Sequence, residues 1–77
     1  MSLELVSFIT QNLVTEPDKL AVVTTQNNSR NLRIEIRCAP DDTGRIIGRG
    51  GRIINSIRTL ARAASDGRQR VEVQLID

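Results

Sequence analysis

From Leu32 onward apolar and polar residues alternate without a break: Leu32, Ile34, Ile36 and Cys38 fall on one side, and Arg33, Glu35 and Arg37 on the other. A period of two predicts a β-strand with one buried face. Cys38 is expected to pack there as a small apolar residue. Upstream, Lys19 to Gln26 contains Leu-Ala-Val-Val-Thr-Thr, rich in β-branched residues, and runs into Asn27-Asn28-Ser29-Arg30. That composition predicts a strand followed by a hairpin turn. Further back, Leu3, Val6, Ile9 and Leu13, with Leu5 and Phe8 beside them, recur at helical spacing, and Pro17 follows where such a helix has ended. Residues 2–14 are therefore read as a first helix.

Downstream, Pro40-Asp41-Asp42-Thr43-Gly44 breaks the alternating strand. A side chain from Asp42 or Thr43 is positioned to cap a short helix through Arg45-Ile46-Ile47. Gly48-Arg49-Gly50-Gly51 interrupts that helix at once. After it, Ile53, Ile54, Ile57, Leu60, Ala61 and Ala64 mark one apolar stripe, with Arg52, Asn55, Arg58, Thr59 and Arg62 largely opposite. This predicts an amphipathic helix of about four turns. Asp66-Gly67 supplies a stop signal, and Val71, Val73 and Leu75 alternate with Glu72 and Gln74 as a last strand. The order is α-β-β-α-α-β, with no repeat, linker or low-complexity segment.

Length and composition narrow the chemistry. The 77 residues allow one domain, read as 1–77, and the single Phe with no Trp or Tyr leaves the core to aliphatic residues. A chain of this size buries roughly 60% of the surface its unfolded form exposes. An enclosed active-site cavity is not expected. Histidine is absent and Cys38 is the only cysteine, so the commonest general base, a metal cluster and an internal disulfide are all missing. No cofactor and no metal are expected, and the chain is read as a non-enzyme. The start, Met-Ser-Leu-Glu-Leu-Val, lacks the basic region and apolar run of a secretory signal, and no stretch is long enough to span a bilayer. A soluble, cytoplasmic protein is the expectation, and Asn27-Asn28-Ser29 is then a polar turn rather than a glycosylation sequon.

Charge is uneven. Between Arg45 and Arg70 seven arginines face one acid, for a net +6, whereas the rest of the chain carries −4. Arginine's planar fork matches phosphate oxygens and stacks on bases, which suits this stretch to a polyanion.

Within it lies Gly44-Arg45-Ile46-Ile47-Gly48-Arg49-Gly50-Gly51-Arg52-Ile53-Ile54. Glycines between two helical patterns remove the side chains that keep another backbone away and permit positive φ. A loop that ends at a helix start also aims free N–H groups and the positive end of the helix dipole outward. Other glycine motifs fail on spacing. A Walker A loop from Gly44 meets Arg49 where glycine is required, and no lysine follows. A dinucleotide fingerprint from Gly48 and Gly50 meets Ile53 at its third glycine and lacks the preceding strand.

The pattern Ile-Ile-Gly-x-x-Gly-x-x-Ile, residues 46–54, resembles the K-homology (KH) domain, whose GXXG loop clamps the backbone of about four single-stranded nucleotides. Two strands before the helix pair and one after resemble the type II arrangement, and the likeness to small bacterial RNA-binding KH proteins covers essentially the whole chain. It implies an α+β fold, with a three-stranded sheet packed against three helices and RNA in a groove between loop and sheet edge. Carried over, Gly48, Arg49, Gly50 and Gly51 form the clamp, with Arg52 in the first helical turn and Arg45 beside it. Ile47 and Ile54 stand where the family places groove or core residues. The sequence does not separate these roles, though so short a chain favours the core for both. This loop departs from relatives that carry lysine at both variable positions, since it has Arg49 and Gly50, and weaker binding is expected.

Arg33 and Arg37 share a strand face with Glu35 and are read as solvent-facing. Arg58 and Arg62 either extend a phosphate track or only solubilise the helix. Without Tyr or Trp, base contacts must be apolar, Arg-stacked or made by backbone, so low sequence discrimination follows. The reading is a non-enzymatic binder of single-stranded RNA. The resemblance adds a homodimer, exchange into a heterodimer with a larger KH-containing protein, and a role in post-transcriptional control and cell elongation or division. The final strand offers an open sheet edge, and the glycine-loop face is one candidate for the dimer contact. The rival reading is a protein-interaction adaptor with little RNA binding.

Overall fold

The computed structural model describes residues 1–65 and 67–76. Helix α1 spans Ser2–Gln11, strands β1 and β2 span Ala21–Asn27 and Asn31–Arg37, helices α2 and α3 span Thr43–Ile47 and Arg52–Ala64, and β3 spans Arg70–Ile76. Short 3₁₀ turns occur at Pro17–Lys19, Pro40–Asp42 and Arg49–Gly51. The element order matches the reading of the sequence. Of the Asp66-Gly67 stop, Asp66 lies outside the described residues.

Among the described residues the strands form one sheet in the order β1-β2-β3. β1 and β2 are antiparallel, joined by a turn in which the Asn28 side-chain oxygen accepts from the N–H groups of Arg30 and Asn31. β3 lies parallel to β2, with Arg33 beside Glu72 and Ile34 beside Val73. A parallel neighbour needs a crossover, and α2, the glycine loop and α3 supply it.

The alternation in β2 does what its period demands. Leu32, Ile34 and Ile36 are buried, and with Val71 and Val73 they meet Val6, Ile46, Ile54, Ile57 and Ala61 from the helices. The other sheet face is open. Two apolar assignments change: Phe8 on α1 is 66% exposed and Leu60 on α3 is 47% exposed. Instead α1 buries the small polar residues Ser2 and Thr10. Ser2 Oγ donates to the Ala61 carbonyl at 2.8 Å, and Thr10 Oγ1 donates back to Val6 O at 2.9 Å. Both hydroxyls are satisfied, so they are buried on the inner side of α1 with Val6 at no cost in unpaired polar groups.

Asp42 is also not the helix cap that its position predicts. It precedes α2 but makes no side-chain cap bond. Its fully buried carboxylate accepts from Thr15 N–H at 2.9 Å, Thr15 Oγ1 at 2.8 Å and Glu16 N–H at 3.1 Å. Arg45 Nε approaches the same carboxylate at 3.7 Å. Donation by the Thr15 backbone N–H holds the Asp42 pKa below its ordinary value, against the opposing effect of burial. The result is a tie from the exit of α1 to the start of α2, and it positions the glycine loop.

Candidate nucleic-acid interface

α2 stops at Gly48 because that residue adopts φ 75°, ψ 171°, which ends the helix while its N–H still donates to Gly44 O at 2.9 Å. A Cβ at Gly48 would lie 2.6 Å from Ile53 Cγ1 and 2.9 Å from Ile53 N. Glycine there is required twice over, by the left-handed φ and by the contact with the start of α3. The turn then runs through Gly50 at φ 65° and Gly51 at φ 79°, and Gly51 N–H donates to Gly48 O at 3.1 Å. Gly50 differs from Gly48, since a Cβ there would meet nothing within 4 Å. It is the tip of the loop, open to whatever approaches.

Gly51 is the N-cap residue of α3, with no side-chain cap bond to the first turn. At the head of this 13-residue helix Arg52 N–H donates to Arg49 O, and no side chain of the N-cap residue caps the N–H groups that follow. Arg49 and Arg52 are exposed there. Among the described residues neither has a carboxylate within ion-pairing distance, in contrast to Arg33, Arg37 and Arg45. Arg45 is partly committed, being the residue that approaches Asp42.

The structure divides the two isoleucines. Ile47 is 38% exposed beside Gly48, whereas Ile54 is 6% exposed within the core. The expectation of core holds for Ile54, which has almost no surface left for a ligand, and fails for Ile47. The reason is helical phase: in five-residue α2, Ile46 takes the inward position and the next residue is turned outward.

Arg58 and Arg62 do something the sequence did not suggest. Alternate residues of β3 turn their peptide groups away from β2. Arg58 Nε donates to the outward Val73 carbonyl at 3.1 Å, and Arg62 Nε lies 3.4 Å from Val71 O. These arginines, one helical turn apart, cover part of the sheet edge expected to be open. They also show that α3 runs antiparallel along β3, which directs the glycine loop towards the Leu75 end of that strand. One further contributor was hidden in the sequence: Asp42, whose partners lie far away in the chain. Among the described residues no three His, Cys, Asp or Glu side chains gather as a metal site.

An α-β-β-α-α-β chain with a left-handed GXXG turn between consecutive helices is a KH domain of the type II arrangement. Comparison with known proteins agrees. The family model described as KhpA/KhpB, KH domain, matches residues 3–75. The chain is 41% identical to the RNA-binding protein KhpA of Leifsonia xyli subsp. xyli over 69 residues, covering 90% of this chain and 88% of that protein. It is 40% identical to the RNA-binding protein KhpA of Caldanaerobacter subterraneus subsp. tengcongensis, covering 95% of this chain and 97% of that one. The KhpA of Borreliella burgdorferi is 36% identical, with 97% and 92% covered. Among solved structures, Aquifex aeolicus Era bound to GDP and aluminium fluoride matches with a TM-score of 0.65 at 22% identity, covering 97% of this chain and 30% of that one. That likeness concerns the fold. The chain belongs to the KhpA/KhpB KH-domain family.

Proposed function

We propose that this chain is a non-enzymatic, cytoplasmic RNA-binding protein that clamps the backbone of single-stranded RNA between the turn of Gly48 to Gly51 and the start of α3. The observation that carries this reading is the glycine turn, with exposed Arg49 and Arg52 free of carboxylate partners among the described residues and a helix start without a side-chain cap behind them. The name RNA-binding protein KhpA, borne by relatives over nearly the full chain, supports it. Arg52 and Arg45 contribute charge, Ile47 an apolar contact, and Ile54 acts from the core. One module with a few phosphate contacts binds weakly, so the working form is a homodimer or a heterodimer with a KhpB-like KH protein, acting as a post-transcriptional regulator or RNA chaperone linked to cell elongation and division.

The test is the double variant Arg49→Asp, Gly50→Asp. Aspartate tolerates left-handed backbone and finds open space at position 50, so the fold is retained. Binding to a pool of single-stranded RNA is lost, while the parent prefers single strands to an A-form duplex of equal length. Undiminished binding by the folded variant overturns the clamp.

The second reading, an adaptor that uses the KH fold for dimerisation with little RNA binding, has its own observation. Leu60 is exposed on α3 among Asn55, Ser56 and Thr59. Light scattering over a concentration series, with and without short RNA, separates the cases. Competition between RNA and self-association places the dimer contact on the loop face, and independence places it elsewhere.

A further inference from the structure

The far end of α3 carries a second group of unmatched arginines. Arg30 lies in the β1–β2 turn, Arg68 in the connection from α3 to β3, and Arg70 begins β3. All three are exposed, and among the described residues none has a carboxylate within ion-pairing distance. Glu4 lines the same groove as Arg68, but its carboxylate is taken up by the N-terminal ammonium at 2.9 Å. The backbones that carry these arginines are stitched together. Arg70 N–H donates to Arg30 O at 2.7 Å, and Arg68 N–H donates to Ser65 O at 3.2 Å. Gln69 Nε2 adds bonds to Asn27 Oδ1 at 2.8 Å and to Asn28 O at 2.6 Å. None of these bonds uses a guanidinium, unlike those of Arg58 and Arg62 to the carbonyls of β3. The fold thus fixes where three charged side chains begin and leaves their heads free, which lowers the ordering cost of holding a ligand. Gly67, just before Arg68, repeats a feature of the glycine loop: it has φ 73°, and a Cβ there would meet nothing within 4 Å.

We propose that Arg30, Arg68 and Arg70 form a second phosphate contact for the RNA strand that the glycine loop holds, so that one strand is gripped at both ends of α3. This deepens the RNA-binding reading and rests on it. α3 starts at the loop and ends at the connection that carries Arg68, which sets the two sites ~20 Å apart by helix rise. A strand clamped at the loop reaches the second site only by continuing beyond the clamped nucleotides. α3 contains no acidic residue, so no carboxylate of that helix repels the strand between them. Arginine at all three positions supplies the planar fork that matches phosphate oxygens.

The experiment measures affinity and its salt dependence for oligouridylates of about four nucleotides, the length a KH loop clamps, and of about twelve. The proteins are the parent, the triple variant Arg30→Ala, Arg68→Ala, Arg70→Ala, and the triple variant with lysine at the same positions. Since the side chains are exposed and the stitching bonds remain, both variants should melt close to the parent temperature. The alanine triple is expected to lose about tenfold in affinity for the long oligomer and to flatten its salt slope by about 2, while affinity for the short one stays within about twofold. The lysine triple keeps the slope. Undiminished binding of the long oligomer by the alanine triple overturns the second contact, as does an equal loss on both lengths. The Arg49→Asp, Gly50→Asp variant is run beside these and should lose both oligomers. If it does while the alanine triple matches the parent, the clamp stands and the second contact alone fails. A loop variant that still binds the short oligomer overturns the clamp instead.

Discussion

Two of this domain's arginine-bearing surfaces use the residue in opposite ways. On the open face of the sheet, Arg33 Nη2 lies 3.1 Å from Glu72 Oε2, and Arg37 Nη2 lies 3.5 Å from Glu35 Oε1. The register explains the first pair, because Arg33 stands directly beside Glu72 across the parallel ladder. The period of two explains the second, because Glu35 and Arg37 are successive residues of one strand face. At the glycine loop, Arg49 and Arg52 stand exposed with no carboxylate in reach among the described residues. Charge that is already matched has little left to offer a phosphate. On the proposed reading, available charge becomes an interface only where the backbone around it is open, as it is at the glycine turn.

The largest effect should come from Gly48→Ala, which attacks the geometry rather than the charge. The added methyl would meet Ile53 backbone and side chain at 2.6 to 2.9 Å, on a residue held at φ 75°. Overpacking and backbone strain together are expected to cost about 3 kcal/mol, lowering Tm by about 10–20 °C, with RNA binding lost. Gly50→Ala meets no atom and should lose far less stability. Equal melting temperatures for the two variants would break the claim that the loop is shaped by its contact with α3.

Next in size is Asp42→Ala, which leaves Thr15 and Glu16 N–H groups without their acceptor. A fall in Tm on the order of 10 °C is expected. The pH dependence sharpens it. Asp42 has a folded pKa below its ordinary value of 3.8. The stability it contributes is complete above that value and is lost as pH falls through the folded pKa. The gap in Tm between parent and Asp42→Ala should therefore be constant near neutrality and narrow below about pH 4. A constant gap into strong acid would show that the ionised carboxylate is not what ties α1 to α2.

The smallest effect belongs to the open sheet face. Arg33→Ala removes an exposed ion pair and is expected to change stability by ~0–1 kcal/mol, with RNA affinity within about twofold of the parent. Urea titration and RNA titration of the same sample check both halves. A loss of affinity approaching that of a loop variant would mean that the paired arginines do contact nucleic acid.

The parts legible in the sequence were those set by local period and local chemistry. Alternation from Leu32 to Cys38 marks β2, the apolar stripe through Ile54, Ile57 and Ala61 marks α3, and Gly48 to Gly51 mark a break that only glycine can make. What was not legible depends on which distant segments meet. Asp42 has the sequence position of a helix cap, but chain folding brings Thr15 to it, and a buried carboxylate surrounded by amides outcompetes the cap. Arg58 and Arg62 carry no sequence sign that β3 would run beside them with outward carbonyls at matching spacing. Leu60 fits the apolar stripe by helical spacing but lies on its flank, and Phe8 is left outside because Ser2, Val6 and Thr10 take the buried side of α1. The roles of Ile47 and Ile54 were inseparable in sequence because both are isoleucines next to the same loop. Only the phase of each helix against the sheet tells them apart.

The salt dependence of RNA binding tests the central claim most directly. On single strands, the slope of log affinity against log salt is about −0.7 per neutralised phosphate. The slope is measured for the parent, for Arg49→Ala with Arg52→Ala, and for Arg33→Ala with Arg37→Ala. The account predicts that the loop pair flattens the slope by about 1.4 and that the sheet pair leaves it unchanged. A sheet pair that flattens the slope as much as the loop pair would contradict the account and make the binding a diffuse property of the protein's arginines.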